Sequence, residues 1–321
     1  MKMPVAHVLN AGRAIPLAAA LALSTLFIGT AWPAAAKTVK VSLTAEEVML
    51  PIDNKGTKYA AWTFNGKIPG PVIHITQGDT VEFTMHNAPG NKMSHSIDIH
   101  AAQVDVMNQF APIKPGQSKS WTFTPKYPGV FFYHCGASPM IQHVARGMFG
   151  VVIVDPKDPN AMPKADREYV LIQSELYPNP EDVKAMMEDK WSHVMFNGGV
   201  FKYDPIHDPD ASETLVAKPG ERVRIYFVNA GPNDFSAFHP IGNIWDAVYP
   251  SGNPKNVLHG MQNYAVGPGD AATFDLISPV EGTDLIVTHS LRGALSGAIA
   301  AIMFSKDADP KMGHGDEILV R

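Results

Sequence analysis

Val81-Glu82-Phe83-Thr84-Met85-His86 puts an apolar side chain at every second position, the period of a strand with one buried and one wet face. Short runs of this kind fill the chain after Lys37, and turn signals separate them: Gly78-Asp79, Pro115-Gly116, Pro128-Gly129, Pro219-Gly220 and Pro268-Gly269. Short strands punctuated in this way are the pattern of a β-sandwich. Helix is scarce. The best candidate follows Asn179-Pro180, where a cap and an N1 proline predict a helix over Glu181 to Lys190.

The sequence also echoes itself. Trp62-Thr-Phe-Asn-Gly66 returns as Val194-Met-Phe-Asn-Gly198, and Lys114-Pro-Gly-Gln before Trp121-Thr-Phe-Thr returns as Gly267-Pro-Gly-Asp before Ala272-Thr-Phe-Asp. A tandem duplication of one sandwich explains both echoes. Between the halves, the stretch Asp155 to Arg167 holds three prolines and many charges, and apolar alternation lapses there. The expected organisation is all-β, with tandem sandwich domains at 37–158 and 168–321 joined by a linker at 159–167.

Residues 1–36 stand apart from this pattern. Lys2 and Arg13 precede an apolar run from Ile15 to about Ile28, and Ala34-Ala35-Ala36 precedes Lys37. That order of charge, apolar core and small residues reads as a secretory signal peptide. The run is short for a membrane span of about 20 residues, and no other stretch qualifies, so the mature protein is expected to be exported and to lack a span. A net charge of −5 with no basic cluster excludes nucleic acid as a partner. Exported proteins usually pair their cysteines, yet Cys135 is the only one here. A lone thiol in an oxidising compartment requires an explanation.

Its surroundings supply one. Cys135-Gly-Ala-Ser-Pro-Met-Ile-Gln-His143-Val-Ala-Arg-Gly-Met148 places a thiol, an imidazole and a thioether in one loop after the strand-like Phe131-Phe132-Tyr133. With His95 upstream, this is the ligand set of a blue-copper site, one thiolate and two imidazoles with a weak axial methionine. Met140 lies in the same loop and competes with Met148 for the axial position, although hydrophobic cover is its expected role. A buried free cysteine beside a core methionine is the plainer alternative.

Strand alternation then yields a second cluster. In His95-Ser-Ile-Asp98-Ile-His100, His95 faces one way while Asp98 and His100 face the other, and His134 and Cys135 divide in the same manner. If His95 and Cys135 share one metal, His100 and His134 turn together to the opposite side. Two imidazoles alone make a poor site, so a third ligand is required.

The motifs His95-Ser-Ile-Asp-Ile-His100, Tyr133-His-Cys-Gly-Ala-Ser-Pro-Met-Ile-Gln-His143-Val-Ala-Arg-Gly-Met148 and Val287-Thr-His289-Ser-Leu resemble those of copper-containing nitrite reductases, over nearly the whole chain after residue 36. The resemblance implies two cupredoxin-like Greek-key sandwiches and one-electron reduction of nitrite to nitric oxide. It implies one type 1 copper on His95, Cys135, His143 and Met148, and one type 2 copper on His100, His134 and the His289 of a neighbouring subunit in a homotrimer. It further assigns Asp98 and His239 to proton delivery and substrate orientation, and implies a periplasmic enzyme fed by a cupredoxin or a c-type cytochrome. Taken singly, Asp98 reads as a solvated or capping carboxylate and His239 as a packed core histidine. In the duplicated register, aligned through Gly129 and Gly282, His289 falls near the place of Cys135 while Ala298 falls near that of Met148. The second half can therefore keep a metal ligand but not a second blue-copper set.

The loop from Cys135 to His143 holds seven intervening residues, one fewer than in familiar members of that family. Histidines 74, 86, 193, 207, 259 and 314 show no ligand spacing and read as surface or packing residues. Two rivals remain. A laccase-like two-domain multicopper oxidase would need about eight histidines largely in His-x-His pairs, and the chain has no such pair. A plain electron-transfer cupredoxin would leave His100, His134 and His289 idle.

Overall fold

The computed structural model describes residues 36–211 and 213–308. Apart from Ala36, the expected signal peptide lies outside them, as does His314. Among the described residues no helix is long and apolar enough to cross a membrane.

The first half contributes β1 (Thr38–Pro51), β2 (Lys58–Phe64), β3 (Ile73–Thr76), β4 (Thr80–Asn87), β5 (Asp98–Ile99), the short helix α1 (Val106–Gln109), β6 (Ser118–Phe123), β7 (Gly129–His134), the helix α2 (Met140–Ala145) and β8 (Phe149–Asp155). They form two four-stranded sheets, ordered β2-β1-β4-β6 and β3-β8-β7-β5. The second half begins with β9 (Arg167–Leu176), the helix α3 (Val183–Met187), β10 (His193–Phe196), β11 (Leu215–Ala217) and β12 (Arg222–Gly231). It continues with β13 (Ser236–Ile241), β14 (Trp245–Pro250), β15 (Leu258–Met261), β16 (Tyr264–Val266), β17 (Ala271–Ile277), β18 (Gly282–Thr288), the helix α4 (Leu291–Ala294) and β19 (Ile299–Phe304). Its sheets run β10-β9-β12-β17-β14-β15 and β11-β19-β18-β13-β16. Removing β14 to β16 leaves the same order in both halves, so the molecule is two sandwiches built on one plan.

The echo in sequence is an echo in backbone. Asn65-Gly66 and Asn197-Gly198 all take positive φ, at 57°, 71°, 49° and 73°, the tight two-residue turn for which Asn-Gly is suited. Each asparagine is also a clamp. Asn65 Oδ1 accepts from the Thr44 N–H at 2.7 Å, and Asn197 Oδ1 from the Ile172 N–H at 2.8 Å. The helix expected over Glu181 to Lys190 is shorter, because Asp182 rather than Asn179 caps it, accepting from the Ala185 N–H at 2.9 Å. Asn179 instead closes a turn onto Glu181 N–H.

Alternation along β7 sends its side chains into two different cores. Tyr133 and Cys135 point into the core of the first sandwich, among Phe64, Phe83 and Met148. Val130 and Phe132 point the other way, into a separate core shared with Ile172, Tyr226 and Val228 of the second sandwich. Burying one such aromatic or branched side chain contributes about 1.5–3 kcal/mol, so β7 is held from both sides. In the second sandwich, Phe238 stacks between Phe227 (4.0 Å) and Trp245 (5.2 Å), and the Trp245 indole N–H donates to the Phe238 carbonyl. That packing fixes β13, which carries His239.

Candidate metal centres

The first cluster lies in the core of the first sandwich, where His95, Cys135, His143 and Met148 are all fully buried. Cys135 follows the last residue of β7, His143 sits in α2, and Met148 precedes β8. Two backbone bonds hold the loop in place, Cys135 N–H to Met148 carbonyl and Met148 N–H to His143 carbonyl. His95 is outside regular strand, because only Asp98–Ile99 of the expected run pairs with β7, and its backbone bridges Ile113 instead.

The donor atoms converge. Cys135 Sγ is 3.1 Å from His143 Nδ1 and 4.0 Å from His95 Nδ1, and the two Nδ1 atoms are 3.2 Å apart. A metal with nitrogen bonds of about 2.0–2.1 Å and a sulfur bond of about 2.3 Å, in a trigonal plane, would separate its donors by roughly 3.5–3.8 Å. The observed spacing brackets that value, so three soft or borderline donors surround a gap of metal size.

Charge states agree with the geometry. Burial pushes the Cys135 thiol up to about 11, so a thiolate here needs a cation beside it. Burial pushes His143 down to about 3, helped by His95 and Arg146, and burial also holds His95 below the ordinary histidine range. Both imidazoles stay neutral with lone pairs to offer. The Ser96 N–H points at Cys135 Sγ at 3.3 Å, and Ser96 Oγ accepts from the Gly136 N–H at 3.0 Å.

The second cluster lies behind the first. Asp98, His100 and His134 offer ligand atoms that all fall within 4.8 Å of one another. Register explains it: Asp98 pairs with His134 across β5 and β7, and the His100 N–H donates to the Phe132 carbonyl. His134 Nδ1 faces its neighbour's carbonyl, Cys135 O, at 3.0 Å, which leaves Nε2 free, 3.9 Å from Asp98 Oδ2. Phe132 stacks on His134 and meets His100 edge-on. Partial withdrawal from water, and then the neighbouring His134, keep His100 below the ordinary histidine range. Unlike the first cluster this one opens outward, since His100 is exposed and Asp98 half-exposed.

His239 and His289 form a third feature, on the second sandwich. Their rings lie 5.2 Å apart, and the His289 N–H donates to the Ala237 carbonyl. His239 Nδ1 is committed to the Gln262 carbonyl, which frees Nε2. Among the described residues of one chain, this pair shares no hydrogen bond, ion pair or ring contact with Asp98, His100 or His134. Met140, expected as hydrophobic cover, is about half exposed at the start of α2.

Comparison with known proteins agrees with this geometry. A family model for multicopper oxidases matches residues 47–159. The copper-containing nitrite reductase of Neisseria gonorrhoeae is 32% identical over 285 residues, covering 85% of this chain and 70% of that protein. The chain belongs to the copper-containing nitrite reductases. The solved copper nitrite reductase of Nitrosomonas europaea is similar at 66% identity with a TM-score of 0.87, covering 88% of this chain and 100% of that one. The tandem sandwiches are therefore cupredoxin folds, as the sequence motifs implied.

Within that family framework, four residues around the first cluster carry no signal in ligand spacing. Glu47 Oε1 is 3.3 Å from His95 Nε2. Trp62 lays its ring 4.5 Å from His143 and 5.5 Å from His95, and the Arg146 guanidinium stacks 3.8 Å above that ring. Ser96 is the fourth. Only adjacency in sequence to His95 and His143 could have drawn attention to Ser96 and Arg146, and nothing local marks Glu47 or Trp62.

Proposed function

We propose that this chain is a periplasmic, homotrimeric nitrite reductase converting nitrite to nitric oxide and water, NO₂⁻ + e⁻ + 2H⁺ → NO + H₂O. Its domains are residues 37–158 and 168–321, after a signal peptide at 1–36 and around a linker at 159–167. His95, Cys135, His143 and Met148 would hold a type 1 copper. His100 and His134, joined by His289 from a neighbouring copy, would hold a type 2 copper. When bound, copper supplies a one-electron couple at the first site and a Lewis-acidic position for a small anion at the second.

The observation that carries this reading is that His134 and Cys135 are consecutive residues pointing into two different clusters. One peptide unit thus links a closed, buried donor set to an open one. An electron from a cupredoxin or c-type cytochrome would enter at the first and travel along that peptide. His289 and His239 sit exposed and half-exposed on the second sandwich, apart from the Asp98 cluster, which is what a site completed between copies requires.

Cleaving the N–O bond needs protons, because oxide is a very poor leaving group and water a good one. Asp98, beside the open site, would hold the first proton toward the departing oxygen. His239, with Nδ1 occupied by Gln262, would present Nε2 as a second proton carrier. The test is electron paramagnetic resonance of copper-loaded protein with and without nitrite. Two cupric signals in equal amount, of which only that with the larger hyperfine splitting changes on adding nitrite, are expected. A single signal per chain, or nitrite altering neither, would overturn the reading.

A further inference from the structure

Two charges of opposite sign flank the Cys135 cluster, one bonded to His95 and one stacked over Trp62. Glu47 lies on β1, far from the ligands in sequence, and its side chain is 16% exposed. Its Oε1 accepts from the Lys92 N–H at 2.9 Å and the Met93 N–H at 2.8 Å, and lies 3.3 Å from His95 Nε2. Since His95 Nδ1 faces the cluster, the ring proton belongs on Nε2, and Glu47 is its acceptor. The Glu47 backbone is pinned as well, its N–H donating to Asn91 Oδ1 at 3.0 Å. A carboxylate held by three donors is a fixed charge rather than a mobile one.

The opposing charge is Arg146, buried at the end of α2. Its guanidinium stacks 3.8 Å over Trp62, the indole that also contacts both histidines. Its Nε donates to the Ala60 carbonyl at 3.1 Å, and Nη1 pairs with Glu181 Oε1 at 2.6 Å. Glu181 is 69% exposed, so water screens the partner more than it screens Arg146.

Resting on the assignment of a type 1 copper to this cluster, we propose that Glu47 and Arg146 are the positioning residues that set its reduction potential by opposing one another. One-electron reduction removes one positive charge from the site. Glu47 stabilises the oxidised form and lowers the potential. Arg146 favours the reduced form and raises it. Glu47 has the larger effect, because it bonds a ligand directly while Arg146 acts across an indole and is partly neutralised by Glu181.

The test is an equilibrium redox titration of the first site in copper-loaded protein, followed by its optical and paramagnetic signals. Glu47→Gln keeps an oxygen acceptor and removes the charge, and should shift the equilibrium toward the reduced form about tenfold, or ~59 mV for one electron. Arg146→Gln should shift it the other way by a smaller factor. The double variant should fall between them, and Glu47→Asp should stay near wild type. The paramagnetic signal of the second site should be unchanged throughout. A shift under twofold in Glu47→Gln, or single variants that move in the same direction as a loosened pocket would make them, overturns the proposal. If Glu47→Gln takes up no copper, Arg146→Gln decides alone, and a potential that does not fall overturns it. Absence of any thiolate–copper signal in the wild-type protein would instead remove the site assignment itself.

Discussion

Loading copper at His95, Cys135 and His143 should release one proton per ion at every pH from about 6 to 8. Burial pushes the Cys135 thiol up to about 11, so metal-free protein holds a protonated sulfur throughout that window, whereas a metal binds the thiolate. His143 adds nothing to the count, because it is pushed down to about 3, and His95, also held below the ordinary histidine range by burial, adds little at neutral pH and above. At pH 7 the sulfur stands about four units below its pKa, which weakens binding about 10⁴-fold against the thiolate limit, on the order of 5 kcal/mol. Affinity should therefore rise about tenfold per pH unit, or roughly 100-fold from pH 6 to pH 8. The measurement is chelator competition in His100→Ala protein, which lacks the second site, with protons counted in weakly buffered solution. A flat affinity profile, or far less than one proton released, would mean that the thiolate exists before the metal arrives, and the inference from burial would fail.

Asp98→Asn should retain both coppers and lose about 10²–10⁴-fold in turnover, the usual range for a positioned acid or base; near wild-type kcat at full copper content removes the proton role. Asp275 is fully buried with two bonds of 2.8 Å to the Arg224 guanidinium. Asp275→Asn should cost about 3–5 kcal/mol by stranding that cation, seen as a lowered denaturant midpoint. Gly147 has φ +111°, and a Cβ there would lie 2.3 Å from Ile68 Cδ1 and 3.2 Å from the Trp62 carbonyl. Gly147→Ala should therefore cost about 1–3 kcal/mol by overpacking alone and, since Met148 is the next residue, alter the optical spectrum of the copper-loaded protein. Metal-free protein should lose stability as pH falls from the ordinary histidine range toward about 3, because the unfolded chain gains protons that His143 refuses when folded; thermal unfolding across that range checks the sign.

The fold was legible where the sequence alternates or turns. The run at Val81 became β4, and the paired Asn-Gly turns became matching clamps, because both features are local. The grouping of Asp98, His100 and His134 against His95 and Cys135 came from strand parity, and His143 from the loop pattern after Cys135. It survived even though His95 left the strand, since the bridge to Ile113 holds it in an extended conformation. The helix expected over Glu181 to Lys190 is too long at both ends, because Asp182, one residue inside the expected start, caps it. Glu47 was invisible for a different reason. Its partner His95 is 48 residues away, and a contact across a sandwich leaves no trace in spacing.

A single-residue slip of β5 against β7 would exchange the two faces, sending inward the donors that now look out and outward those now enclosed. The two-residue length of β5 makes that slip easy in the ladder itself. Preventing it falls to the flanks: the His95 bridge to Ile113 on one side, and the His100 bond to Phe132 on the other. Which donors share each cluster is therefore decided by a few backbone bonds outside the strand.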